Sequence, residues 1–246
     1  MNTRLPMCLL FAALAAAGAC GKRAADAATF TARGDSLKAA GRLDLAIEQY
    51  DRAIARDSTD GRAFNNRGNA YRERGDYDRA IRDFDRAIKL DAKHFQAIRN
   101  RARTEFYVAR FADAAADFER ALQADSTSVA AAYNLLWLHI ARRRLGQDDT
   151  RQFAVQFAKT DQVAWPAPAG KYLLGQLTVE QFEAAAAQVD PRVKQDQRCA
   201  AAFYRGEEAL MLKKATEAAT HFERARSICP EQWTEYQASV AELGRL

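Results

Sequence analysis

The residues of this chain that could do chemistry are few and scattered. His94, His139 and His221 are its three imidazoles, and none has a second ligand at metal-binding spacing. His221 and Glu223 are near neighbours but would not share a face of a helix. No HExxH pair, phosphate loop or GxSxG elbow occurs. The 32 acidic side chains fall on what read as solvent faces of helices. This pattern disfavours an enzyme and implies no catalytic residue, no metal and no cofactor. Recognition is the chemistry that remains. Asn65, Asn66, Asn69, Asn100 and Asn134 carry donors and acceptors together, which suits an amide to a peptide backbone whatever its side chains. Cys8, Cys20, Cys199 and Cys229 add the chemistry of thiols.

The elements that must position these residues repeat. Phe30-Thr-Ala-Arg-Gly34 returns as Phe64-Asn-Asn-Arg-Gly68, a step of 34. Tyr50-Asp-Arg-Ala-Ile54 returns as Phe84-Asp-Arg-Ala-Ile88 and Phe118-Glu-Arg-Ala-Leu122. A period of this length specifies helical hairpins packed against their neighbours, and hence an all-α fold. Small residues at Gly34, Gly68 and Ala102 fall midway along each first helix, and those at Ala46, Ala80 and Ala114 early in each second. Two helices approach closely only where side chains are small. Tyr50, Phe84 and Phe118 fill the wider gap one turn later. Gly41 and Gly75 fall in the turns, where a left-handed residue is expected.

Phe64, Gly68, Tyr71, Ala80, Phe84 and Ala87 resemble the signature of the tetratricopeptide repeat (TPR). A further copy places Gly206, Ala218, Phe222, Ala225 and Pro230 at the matching positions. The expected layout is a TPR helical-hairpin solenoid: repeats 1–3 and a degenerate repeat 4 over 27–145, an irregular helical insert over 146–198, and the last repeat with a capping helix over 199–246. Repeat 4 begins near Val129, and its second helix is expected at about 149–158. Within the insert, Trp165-Pro-Ala-Pro168 interrupts helix. Thr178 is expected to cap a helix from Val179 to Val189.

Residues 1–19 read as a signal peptide: Arg4, an apolar run from Met7 to Ala17 too short to span a bilayer, then Ala17-Gly-Ala19. Cys20 follows at once and resembles the acylated cysteine of a bacterial lipobox. A lipidated linker is expected over 20–26, and lipid would hold the protein at the periplasmic side of the outer membrane. Ordinary cleavage, leaving a soluble periplasmic protein, is the alternative. The formal net charge is +5 and loses one unit with Arg4. Acids interleave with the arginines, as in Arg72-Glu-Arg-Gly-Asp-Tyr-Asp-Arg79, so these runs read as solvated helix faces and not as a nucleic-acid surface. Arg142-Arg-Arg144 is expected at a helix C-terminus, where the dipole favours it.

Leu136-Trp-Leu138, Trp165, Tyr172-Leu-Leu-Gly175 and Phe203-Tyr-Arg-Gly206, in that order, are similar to the NlpI-type TPR lipoproteins of the outer membrane. That resemblance implies a dimerising adaptor that brings envelope proteases and peptidoglycan hydrolases together. The competing function is a structural subunit of an outer-membrane protein-assembly or pilus/secretion complex. An envelope hydrolase is the reading that the missing constellations disfavour.

The TPR resemblance also implies a partner groove lined by the first helices. Its residues here are Arg62, Asn65, Asn66, Asn69 and Arg72 in the second repeat, then Gln96, Arg99, Asn100, Arg103 and Phe106 in the third, then Asn134. Asn69 and Asn100 match the asparagine pair of peptide-binding members. Thr31, Gln96 and Ala130 replace the basic residues of the family's carboxylate clamp, so a receptor for C-terminal carboxylates is not implied. The implied partners are envelope proteins or peptides. With Cys8 leaving in the signal and Cys20 taking lipid, Cys199 and Cys229 remain. They open and close the antiparallel helices of the last repeat, which brings them within bridging range, so a disulfide is expected.

Overall fold

The computed structural model describes residues 26–187 and 191–246. The expected signal peptide and Cys20 lie outside the described residues. The described residues are all-helical. Helix α1 covers 26–39. It is followed by α2 (Leu43–Arg56), α3 (Gly61–Glu73), α4 (Tyr77–Leu90), α5 (Phe95–Tyr107), α6 (Phe111–Ala124), α7 (Val129–Arg144), α8 (Thr150–Phe157), α9 (Ala167–Leu173), α10 (Val179–Ala187), α11 (Pro191–Met211), α12 (Ala215–Ile228) and α13 (Thr234–Leu243). The chain divides into two compact units, with the boundary between Lys93 and His94. Among the described residues no helix is long and apolar enough to cross a membrane.

In the first unit, α1–α4 form two hairpins. Asp60 caps α3 by accepting from the backbone N–H of Arg62 and Ala63, and Asp76 caps α4 by accepting from Arg79. Each carboxylate satisfies donors that the helix cannot. Ala46, Ile47, Tyr50 and Ala70 form a buried cluster, with Leu37 and Tyr71 against it. Gly68 shows why the repeat needs a small residue: a Cβ there would stand 2.7 Å from the Phe84 ring. One pair of helices is also stapled by charge. Arg67 grips Asp83 with two bonds of 2.8 and 2.6 Å and reaches Asp51 at 2.6 Å.

The second unit repeats the staple one period on, where Arg101 grips Asp117 at 2.7 and 2.8 Å. Its core gathers on Trp137, which stacks on Phe203 at 5.0 Å and meets Phe106 edge-on at 5.1 Å. The three histidines take structural places. His94 caps α5 through the Ala97 N–H, His139 is buried with Nδ1 2.6 Å from Asp149, and His221 is buried 3.9 Å from Glu217. Arg142-Arg-Arg144 closes α7, and all three are engaged by acids. Arg142 pairs with Glu119 and Asp149, Arg143 with Asp148, and Arg144 bridges the buried Glu207 and Glu242 at 3.4 and 2.8 Å.

The insert has its own packing. Phe157 of α8 lies against Gly170 of α9, where a Cβ would meet the ring at 2.1 Å. Trp165 stacks on Phe182 of α10, and Phe182 stacks on Tyr172 of α9. Thr178 and Gln181 exchange backbone-to-side-chain bonds of 2.9 and 3.3 Å, a reciprocal cap at the start of α10. The first helix of the last hairpin begins at Pro191, so Cys199 lies inside α11 and does not open it. Helical order continues N-terminal to the repeat motif, and α10 packs against α11. Cys199 and Cys229 are joined, with Cα atoms 5.1 Å apart. Helix α13 packs on α11 and α12 and also on α5. Tyr107 donates to the Thr234 carbonyl at 3.1 Å, and Arg245 donates to the carbonyls of Phe106, at 3.1 Å, and Tyr107.

Candidate protein-interaction surfaces

In the first unit, Arg62, Asn65, Asn66, Asn69 and Arg72 recur at helical spacing along one face of α3. What organises them is Asp35 of α1. Its Oδ1 accepts from the Tyr50 hydroxyl at 2.8 Å and from Asn66 Nδ2 at 2.8 Å, and its Oδ2 accepts from Arg62 at 3.0 Å. Asn65 donates to Asn66 Oδ1 at 3.0 Å, and Arg72 donates to Asn69 Oδ1 at 3.3 Å. Burial, with Asp35 beside it, pushes the Tyr50 phenol well up, so it stays a donor. Asn65 and Arg72 are buried, and Arg62, with its side chain 68% exposed, is the member most open to solvent. The face is an array of amide and guanidinium groups held by hydrogen bonds to one another and to Asp35. Sequence reasoning missed Asp35. The signal was present, since Asp35 stands one period before Asn69 and two before Arg103.

In the second unit the groove residues disperse. Gln96 is exposed near the start of α5, while Arg99 and Asn100 are half-buried. Phe106 is a wholly buried core residue and not a groove residue, because Phe111 and Trp137 close around it. Asn134 is 3% exposed, and its Oδ1 accepts no bond among the described residues. Arg103 lines a cleft of about 540 Å³. Tyr133, Trp137, Trp165, Trp233 and Glu235 line it too, with Asp196, Gln197, Ala200 and Thr234. Burial raises the Glu235 carboxyl above its ordinary range, against the pull of Arg103. Burial likewise pushes the Tyr133 phenol up to about 12. Among the described residues no cluster of three His, Cys, Asp or Glu side chains could hold a metal ion.

Comparison with known proteins agrees with this architecture. Residues 31–95 match the family model described as tetratricopeptide repeat. No curated protein sequence matches the chain. Several solved structures share its fold. A tetratricopeptide repeat protein from Parabacteroides merdae is similar at 17% identity and a TM-score of 0.56, over 88% of this chain and 84% of its own. Pseudomonas aeruginosa PilF is similar at 14% identity and 0.55, over 88% and 97%. PilW, a widely conserved type IV pilus biogenesis factor, is similar at 17% identity and 0.53, over 82% and 92%. Residues 31–95 thus carry the tetratricopeptide repeat pattern, and the described residues take the all-helical fold of these solved structures.

Proposed function

We propose that this protein is a non-enzymatic adaptor of the bacterial cell envelope. Lipid on Cys20 tethers it at the periplasmic side of the outer membrane, and its repeats recruit envelope proteins such as proteases or peptidoglycan hydrolases. The observation that carries the reading is the α3 face fixed on Asp35, a surface built to hold a polypeptide and not to cut one. The Cys199–Cys229 bridge supports export, because such bonds persist in oxidising compartments. The second reading is a structural subunit of an outer-membrane assembly or pilus/secretion complex. In its favour stands the fold shared with PilW and PilF. A crosslinking pull-down from envelope membranes separates the two. Protease or hydrolase partners lost on Arg62→Ala with Asn69→Ala uphold the adaptor. A secretin or barrel-assembly partner replaces it with the structural subunit.

A further inference from the structure

All three tryptophans of the chain line a single cleft of the second unit. We infer that this cleft is a receptor for an organic monocation, an arginine or lysine side chain of a peptide or a free alkylammonium.

The walls are aromatic and already in place. Trp137, almost wholly buried and stacked on Phe203 and Phe118, closes the base of the cleft. Trp165 stacks on Phe182, which stacks in turn on Tyr172, all with near-parallel rings. Trp165, Trp233 and Tyr133 are half-buried, which leaves ring surface facing the cleft. The negative faces of such rings attract a cation, Trp most strongly.

Charge selects between a cation and a neutral ring-shaped ligand such as a sugar. Among the described residues the ionisable side chains lining the cleft, phenols aside, are Arg103, Asp196 and Glu235, one cation against two carboxylates. A neutral ligand would leave one carboxylate uncompensated in a half-buried site, where its desolvation is costly. A monocation balances the set. Burial already raises the Glu235 carboxyl above its usual range, and an incoming positive charge relieves that penalty. A second polar group waits behind the wall. Tyr204 is fully buried, its hydroxyl makes no hydrogen bond among the described residues, and it lies within electrostatic reach of Glu235, Tyr133 and Arg103. The cleft also has the size of an ordinary small-ligand pocket, at about 540 Å³.

Because every indole lines the site, intrinsic tryptophan fluorescence of the purified full chain reads occupancy directly. The probes are N-acetyl-argininamide, its citrulline counterpart (similar in shape, uncharged), tetramethylammonium and N-acetylglucosamine, all at one ionic strength. A saturable change with argininamide or tetramethylammonium, absent with citrulline, upholds the proposal. Preference for argininamide assigns the peptide source, and preference for tetramethylammonium the free amine. Equal responses to arginine and citrulline, saturation by the sugar alone, or no saturable response would each overturn it. Glu235→Gln should weaken cation binding about tenfold, equivalent to ~1.4 kcal/mol. Asp196→Asn, at the exposed mouth, guards against a folding defect in the first variant, and undiminished binding in both refutes the charge argument. Only the peptide source rests on the adaptor reading. Titration needs no partner, so the cleft can fail while capture through α3 succeeds, and the reverse.

Discussion

Glu207 is a single carboxyl with a measurable pH signature. It is fully buried on α11, and burial, with Glu242 beside it, pushes its pKa up to about 8 despite Arg144. In the unfolded chain it titrates near the ordinary 4.5. The folded state therefore holds a proton that the unfolded state has lost. Stability from this group is fully present below about pH 4.5 and drains away as pH rises through about 8. Thermal melts should show a falling midpoint between those limits, and Glu207→Gln should flatten the slope. An unchanged slope in the variant refutes the assignment. Gly68 gives a steric counterpart. Gly68→Ala drives a Cβ to 2.7 Å from Phe84 and should destabilise the first unit by about 1–3 kcal/mol in denaturant unfolding. The requirement for a small residue was legible from the period, but the pattern placed the Phe84 ring in a wider gap one turn on and not against Gly68 itself. The Asp35 network was legible only in part. Its chain position follows from the repeat, but its three hydrogen-bond partners come from two other helices and a spacing cannot supply them.

At the scale of elements, two turns are chemically mismatched, at Ala109 and at Lys213, each with φ of +59°. Gly41 and Gly75 end their helices with φ of +72° and +84°. One period later the same place is Ala109, at φ +59°. The hydrogen bonds are those of the glycine turns: Asp76 N–H to the Tyr71 carbonyl at 2.8 Å, and Arg110 N–H to the Glu105 carbonyl at 2.8 Å. An L-residue with a Cβ is strained there, so Ala109→Gly should stabilise the second unit by about 1 kcal/mol, seen as a higher midpoint without a change of slope. Helices with a local signature were readable. The Thr178 cap and the span at about 149–158 came from short-range pattern, and α10 and α8 stand at those places. The early start of α11 at Pro191 and the Phe157–Gly170 contact were not readable, because both depend on what packs against the segment and neither falls on the period.

For the whole molecule, covalent chemistry gives two tests. Reducing the Cys199–Cys229 bond, which closes a separation of 30 residues, should cost about 3.6 kcal/mol in the chain-entropy account. Non-reducing peptide mapping of freshly isolated protein should show one bridge and no alkylatable pair. Mass spectrometry of the mature N-terminus decides the lipid: a diacylated Cys20 is expected, and Cys20→Ala should release the protein into the soluble periplasmic fraction. A free Cys20 or cleavage elsewhere ends that reading.

The bonds from Thr234 and Arg245 back to the end of α5 also govern the order in which a nascent chain can fold. Those contacts join residues 127 to 139 positions apart. Everything in the first unit is complete once Lys93 has been synthesised, and its partners are sequence neighbours that find one another quickly. The second unit must wait until Arg245 has been synthesised before α13 can settle fully on α5. Until then the end of α5 lacks Arg245 on its carbonyls, and Arg144 lacks one of its two carboxylates. A chain interrupted before that point would thus carry a finished first unit and an unclosed second, the form on which chaperones and proteases act.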